Sequence, residues 1–434
     1  MHIQEVLKEF HLQTTIHNMI SAYDYDHMVY VRLFEGCNLN CEHCFIPSNP
    51  KKINSDFYLE NNLTNQLTQF GNIKEGNKLY LQWHGGEPTL LGVDYLKNAI
   101  LNVQKDNRFK YMHGIQTNLM NFHEDTDKWV ELYKEHFDSQ LGISWDYSIR
   151  HTKINTLTLE QTNEQFENKF WNNVKLAQDK GLDLYMVVTA TKILFEHFTN
   201  PFDFFEMLVE KGITKLNLER ITKTGYARDA WDKLGLSNLE YSQYMSKFFK
   251  AYVLFKDNNP EVQISISPFD GLLRSVVGLV KNNTLNNNTL NNDTLNNDAL
   301  NDSKANIWDV LSYKNQGYGC WSGECDTRFH TIDSNGYKHG CTALTSEQDN
   351  KNKSLVANVN VQKVMWIGKS NTHSNQKENI IKQRETRQLS CQECHFLSIC
   401  SSGCLSVEKF DESGECSGAN QLFSTIFQTV TKYI

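Results

Sequence analysis

Three cysteines near the start of the chain carry its clearest chemistry. Residues 37–44 read CNLNCEHC, so Cys37, Cys41 and Cys44 follow the spacing C-x3-C-x2-C, just after an apolar run at 28–34 that reads as a β-strand. Three thiolates can hold three corners of a cubane [4Fe–4S] cluster, which usually takes four cysteine ligands. A site with three leaves one iron open to a non-protein ligand, and an open iron is where reactivity concentrates. Taken alone, the same spacing would also fit a zinc loop or three unrelated core cysteines.

A second group lies far along the chain. The chain has eleven cysteines, and from Cys320 onward there are Cys320, Cys325 and Cys341, then Cys391, Cys394, Cys400 and Cys404 as C-x2-C-x5-C-x3-C, and finally Cys416. The N-terminus is charged and shows no apolar signal region. Cysteines in such a chain point to metal or catalytic roles before disulfides. Four-thiolate sites suit zinc as well as iron–sulfur clusters.

The elements that must position these groups alternate along the chain. Predicted strands at 28–34, 78–83, 111–116, 140–145, 183–190 and 214–219 are separated by predicted helices at 56–70, 93–105, 125–136, 163–180 and 201–211, with another helix at 241–256. That order implies a parallel sheet with right-handed crossovers. Six units are too few for a closed eight-fold barrel, so the expectation is α/β: an open, partial (β/α)6 barrel. In such barrels functional groups gather at the C-terminal strand ends. The cysteine loop, the loop HGGEPTLLG after 78–83, Gln116 to Asn118, and Asp146 all fall there.

The expected organisation is a lead-in at 1–27, the partial barrel at 28–235, a bridging helix and strand at 236–281, an Asn-rich insertion at 282–303, and a cysteine-rich domain at 304–434. The Asn-rich tract repeats NNTLN-like pentads. One Leu in five fits neither helical nor strand burial, so the tract is predicted to be a disordered surface insertion. The formal net charge is −8, which argues against a nucleic-acid partner. No stretch reaches the roughly 20 apolar residues of a membrane span. A cytoplasmic protein without membrane contact is expected.

The cysteine loop followed one strand later by Gly85-Gly86-Glu87-Pro88 resembles the radical S-adenosylmethionine (radical SAM) enzymes. The resemblance implies that Cys37, Cys41 and Cys44 hold a [4Fe–4S] cluster whose open iron chelates SAM. One electron then splits SAM into methionine and a 5′-deoxyadenosyl radical that abstracts hydrogen from substrate. It implies SAM-site roles for Phe45 near the adenine, for Gly85, Gly86, Glu87 and Pro88 beside the SAM ammonium, for Gln116 and Asn118 in the cavity, and for Ser144 and Asp146 toward the SAM carboxylate or ribose. Tyr147 and Ser148 replace the family's usual Gly-Pro after that Asp. Arg150 and Arg220 are candidate carboxylate partners. No catalytic base is assigned.

The later cysteine spacings are similar to the SPASM extension of peptide-acting radical SAM enzymes. The resemblance implies two auxiliary [4Fe–4S] clusters, one on Cys320, Cys325, Cys341 and Cys404, the other on Cys391, Cys394, Cys400 and Cys416. It points to a peptide maturase with a short precursor substrate and a flavodoxin- or ferredoxin-type electron donor. Sulfatase maturases carry an Asp base immediately after the third cysteine of this region, where this chain has Thr342. That counts against oxidation of Ser or Cys to formylglycine, while the form WHGGEPTLLG looks more like the cyclophane-type maturases, so a C–C crosslink is expected before a C–S one. Formylglycine formation, another radical oxidation or epimerisation, and a zinc-stapled binding protein are the alternatives.

Overall fold

The computed structural model describes residues 25–46, 62–290, 319–332, 338–341, 366–368 and 374–432; at 62, 281–290, 325–326, 338–339, 366–368 and 374–380 it describes backbone alone. The chain divides into two compact units, one of Met1–Leu12, Ser237–Glu324 and Gln383–Ile434, the other of Gln13–Leu236 and Cys325–Lys382.

In the second unit the order is β1 (His27–Phe34), α1 (Asn62–Leu67), β2 (Lys78–Gly85), α2 (Val93–Gln104), β3 (Lys110–Thr117), α3 (Thr126–His136), β4 (Gln140–Ser144), α4 (Leu159–Asp179), β5 (Asp183–Ala190), α5 (Lys192–His197), α6 (Pro201–Glu210) and β6 (Lys215–Arg220). The other unit supplies α7 (Asn238–Asn258), β7 (Ser265–Ser267) and α8 (Phe269–Leu290). Then come β8 (Phe329–Ile332), β9 (Lys338–His339), β10 (Trp366–Gly368), α9 (Ser374–Leu389) and α10 (Asn420–Thr431).

Strands β1 to β6 lie side by side in chain order and all pair in parallel. This is the expected (β/α)6 arrangement. The alternation of side chains explains its two faces. On one face Leu79, Leu81, Trp83, Leu141, Ile143, Leu184, Met186, Val188, Leu216 and Leu218 are buried. Each such side chain contributes about 1.5–3 kcal/mol on full burial. The intervening positions include Gln82, His84, Gln116, Ser144 and Asn217, which stay partly accessible. Parallel sheets are usually apolar on both faces, so a polar face across adjacent strands marks where this sheet departs from a plain core. A slip of one residue would exchange the faces.

Three differences from the sequence reading stand out. The cysteine-rich region is not one separate block. Its residues Phe329–Ile332 form β8, which pairs in parallel with β1, and β9 and β10 extend the same sheet antiparallel. The boundary expected at 304 therefore does not separate two units, because 325–382 groups with the sheet. Strands of two to four residues carry too little periodicity to be read without their partner. The strand expected in the bridging segment 236–281 is the short Ser265–Ser267. Finally, 282–290 continues α8 and is helical rather than irregular. The helix is anchored by buried Phe269, Leu272, Leu273 and Val276, and extending a formed helix is far cheaper than starting one. The remainder of the Asn-rich tract, and the lead-in before 25, lie outside the described residues.

Helix α4 also starts earlier than expected. A capping box between Thr158 and Gln161 satisfies the first amide groups and begins the helix at Leu159.

One buried polar group in this unit has a measurable consequence. Behind β2 and β3, the Trp83 indole N–H donates to His113 Nδ1 at 3.2 Å, and His113 Nε2 lies 3.3 Å from the Gln104 amide. Burial, with the nearby His136, pushes the His113 pKa down to about 3. The folded protein holds this ring neutral, whereas the unfolded chain protonates it below about pH 6.5. Its contribution is present above that pH and is lost as pH falls toward 3. At pH 5 the loss is about 2 kcal/mol. Urea denaturation at pH 7 and pH 5 is expected to show a correspondingly smaller pH penalty in His113→Gln than in the wild type.

Candidate active site

The cysteine loop leaves β1 at Phe34 and is clasped by the loops that follow three other strands. After β2, Gly86 N–H donates to Phe34 O at 2.6 Å and Glu87 N–H to Gly36 O at 2.9 Å. After β4, Asn40 N–H donates to His151 O and Glu42 N–H to Ile149 O. After β6, Tyr226 N–H donates to Cys44 O at 2.9 Å. The two glycines of the HGGEP loop are required by this clasp. Gly85 has φ +151°, and a Cβ on Gly86 would stand 2.1 Å from Gly36 O. The sequence suggested approach to a ligand; the structure shows that the backbone approached is that of the cysteine loop.

Within this clasp Cys41 is buried and Cys37 and Cys44 are half-buried, and the three lie within electrostatic reach of one another. Burial, with Glu87 nearby, pushes the Cys37 thiol up to about 12. Burial likewise raises Cys41 and Cys44, against the pull of Arg150 on both. Thiols raised in this way stay protonated near neutral pH, and coordination would deprotonate them. The donor set is three soft sulfurs and fits an iron–sulfur cluster.

Glu87 is buried and committed inside the protein. Its Oε1 accepts from Thr89 N–H, Thr89 Oγ1 and Thr117 Oγ1, and its Oε2 accepts from Asn118 N–H at 2.7 Å. Pro88 opens the short 3-10 turn Pro88–Leu91 that Glu87 caps. Burial raises the Glu87 pKa even against these donors. Asn118 turns its amide to Cys37 Sγ at 3.6 Å and to Asn38 Oδ1 at 2.7 Å. Gln116 donates to Ser144 Oγ at 2.8 Å, across β3 and β4 on the polar face. Phe45 stands 6.1 Å from the His84 ring.

Asp146 is fully enclosed. Its Oδ2 accepts from Arg150 at 2.8 and 2.6 Å and from His43 Nε2 at 3.0 Å, and its Oδ1 accepts from Thr189 N–H. Burial opposes its charge, but Arg150 and His43 hold the carboxyl well below the usual range. Arg150 in turn points Nη1 at Cys41 Sγ, 4.0 Å away. The loop between Cys41 and Cys44 is pinned by Glu42, which accepts from His151 Nε2 at 3.2 Å and Lys233 Nζ at 2.9 Å. The His151 bond, against burial and with Lys233, brings Glu42 down to about 2.

Three residues of this neighbourhood escaped the sequence reading. His43 lies between two of the cysteines. His84 is held down to about pKa 4 by burial and by Arg32. Arg32 is fully buried on β1 and bonds Glu35 Oε1 at 2.8 Å. A charged residue inside the apolar run VYVRLF was the one visible signal for the last.

In the other unit, Cys391, Cys394, Cys400 and Cys416 act on one another electrostatically around Cys394. A Cβ on Gly418 would stand 2.9 Å from Cys400 Sγ and 3.5 Å from Cys416 Sγ. Asn420 Nδ2, at the start of α10, lies 3.8 Å from Cys394 Sγ. Burial pushes Cys400 up to about 12. None of these four, nor Cys37, Cys41 or Cys44, forms a disulfide. Two arginines of α9 fix the loop that carries them. Arg384 donates to Ser401 O and Gly403 O, and Arg387 to Cys404 O at 2.9 Å and Val407 O at 2.7 Å. Cys320 and Cys404 belong to this unit, whereas Cys325 and Cys341 belong to the other. Thr342 and the side chain of Cys325 lie outside the described residues. Among the described residues, no three His, Cys, Asp or Glu side chains are grouped to hold a single metal ion.

Residues 31–200 match the Radical SAM superfamily. The chain carries a radical SAM domain and is a radical SAM enzyme, which implies a [4Fe–4S] cluster and SAM. It is 23% identical over 381 residues, 85% of this chain and 85% of the relative, to a cysteine-type anaerobic sulfatase-maturating enzyme of Clostridium novyi (strain NT). Among solved structures it is similar to native anSMEcpe with bound AdoMet and Cp18Cys peptide, at TM-score 0.57 and 16% identity over 93% of this chain and 98% of that one. It is similar also to native anSMEcpe with bound AdoMet, at TM-score 0.55, 16% identity and the same coverage. At that identity the likeness is one of fold. Among the described residues, no helix is long and apolar enough to cross a membrane.

Two substitutions test these supports. Gly225 has φ +55°, and its Cβ would stand 2.3 Å from Cys44 O. Gly225→Ala is expected to displace Cys44 and lower the iron bound per chain, while Gly278→Ala, with open space at its Cβ, leaves iron content unchanged. Arg384→Ala uncovers two carbonyls at about 1–3 kcal/mol each. Urea denaturation with SAM-cleavage assays is expected to show the loop of Cys400 and Cys404 destabilised and cleavage of SAM retained.

Proposed function

We propose that the protein is a peptide maturase that abstracts a side-chain hydrogen from a ribosomally made precursor and closes a crosslink, C–C before C–S. In this reading Cys37, Cys41 and Cys44 hold the SAM-binding cluster, which supplies the electron that cleaves SAM. The observation that carries the reading is the tripod of buried and half-buried thiols beside a polar sheet face, a donor set with one coordination place left for a small molecule. Asn118 and the Glu87 knot fix the Cys37 side of that place. Asp146 and Arg150 fix the Cys41 side. Gln116, Ser144 and His84 line the polar face, where a substrate side chain would enter.

Crosslink closure removes two hydrogens. One leaves as an atom to the deoxyadenosyl radical, and the second leaves as a proton and an electron. Cys391, Cys394, Cys400 and Cys416 are a donor set suited to a cluster that accepts that electron. The peptide bound in the anSMEcpe structure supports a peptide as substrate class. Thr342 in place of the Asp base of sulfatase maturases favours crosslinking. An extended precursor could add to a sheet edge by main-chain hydrogen bonds.

One observation favours a second reading. The similarity to the Clostridium novyi enzyme spans 85% of both chains, which supports oxidation of Cys or Ser to formylglycine.

Coexpression with a short precursor encoded beside this chain separates the two. Loss of two hydrogens per crosslink, with fragmentation blocked across the ring, is expected. An unmodified precursor, together with an aldehyde formed on a sulfatase-derived Cys peptide, would select the second reading. Anaerobically prepared protein should contain about twelve irons, four for each of three clusters. The Cys37→Ala, Cys41→Ala, Cys44→Ala variant should release no 5′-deoxyadenosine.

A further inference from the structure

The aspartate that resemblance sends toward SAM is spent elsewhere in this chain. Asp146 accepts from Arg150 Nε and Nη2, from His43 Nε2 and from Thr189 N–H. Its carboxylate is closed off from solvent. The partner it holds, Arg150, has its remaining amino group, Nη1, 4.0 Å from Cys41 Sγ. The guanidinium also lies over the Phe166 ring, 6.0 Å from its centre, and the Arg150 main chain is held by Asn163, which donates to its carbonyl at 2.9 Å. A guanidinium keeps its charge at every accessible pH. One that bonds a carboxylate on one edge and faces sulfur with the other presents unequal distances to the sulfur. The positive end is nearer and the negative end is behind it. Coulomb energy falls with distance and is strengthened by low polarity, so the pair does not cancel at Cys41.

We propose that Asp146 and Arg150 form an oriented ion pair that sets how readily the cluster on Cys37, Cys41 and Cys44 takes up its electron. Reduction adds one negative charge to the cluster. Arg150 compensates that charge at Cys41, and Asp146 moderates the compensation from the far side. The departure at Tyr147 and Ser148, where relatives by resemblance carry Gly-Pro, accompanies this use of the aspartate. The proposal rests on the ligand assignment in the preceding subsection.

The test is a potentiometric titration of anaerobically prepared holoenzyme without SAM, followed by electron paramagnetic resonance. The signal that changes when SAM is added to a parallel sample identifies the cluster. In Arg150→Gln, the reduced-to-oxidised ratio at the wild-type midpoint should fall about tenfold, which is about 59 mV for one electron. Arg150→Lys should stay within about threefold of wild type, since the charge is kept. Asp146→Asn should move the ratio upward, opposite in sign. A purely structural role would change iron content and would not give opposite shifts. An unchanged midpoint in iron-replete Arg150→Gln, or shifts of one sign in both variants, would overturn the proposal. Should Arg150→Gln lose its iron, the near-isosteric Asp146→Asn decides, and an unchanged or lowered midpoint overturns it. A role confined to the SAM carboxylate would instead weaken SAM binding with the SAM-free midpoint intact. If wild-type protein gives no SAM-responsive signal, the ligand assignment itself fails, and this proposal falls with it.

Discussion

Three thiols are brought together where none can readily ionise alone, and the surrounding structure answers that constraint. Isolated buried sulfurs would be stable as neutral groups and would need no special neighbours. Here they have Arg150 at 4.0 Å from Cys41 and the Asn118 amide at 3.6 Å from Cys37. Each neighbour stabilises negative charge on sulfur, a charge that coordination would generate. The second rank of contacts holds those neighbours in turn. Asp146 orients Arg150, and Glu87 fixes the backbone of Asn118. Outer contacts of this kind orient ligands and tune the group they hold.

The clasp explains why the site depends on distant parts of the sequence. The cysteine loop has no regular structure of its own, so its backbone groups need outside partners. Loops after β2, β4 and β6 provide them. A parallel sheet delivers all these loops to the same end, because each strand runs in the same direction. The fold therefore gathers, at one edge, loops that are separated by more than a hundred residues. The C-terminal cysteines rely on a different device. There the loop carbonyls are tied down by arginines from a preceding helix.

Much of the barrel was legible because its strands are bounded by turns and its helices are amphipathic. Residues Asp183–Ala190 were readable to both ends, since a β-branched run alternates cleanly against a covered face. The cysteine loop stood out through its spacing together with the GGEP loop one strand later, and the position of Asp146 at a strand end followed from the alternation of elements. What Asp146 bonds to did not. A carboxylate's partner depends on which side chain the fold brings within about 3 Å, and Arg150 and His43 are equally near in sequence to other candidates. Glu87 shows the same limit from the opposite side. Its motif was plain, but its carboxylate accepts from Thr89, Thr117 and Asn118, the last two from the end of the next strand and the loop after it.

The sequence by itself determined the spacing of the cysteines, the alternation of strands and helices, and the end of the sheet from which the cysteine loop leaves. Those depend on local periodicity and covalent spacing, which a linear chain carries in full. Only the tertiary structure decided that β8 joins β1, that the two glycines yield to the cysteine loop, and that Arg150 faces sulfur with Asp146 at its back. Those are contacts between segments remote in the chain, and their energies arise only once burial has excluded water and brought the charges close.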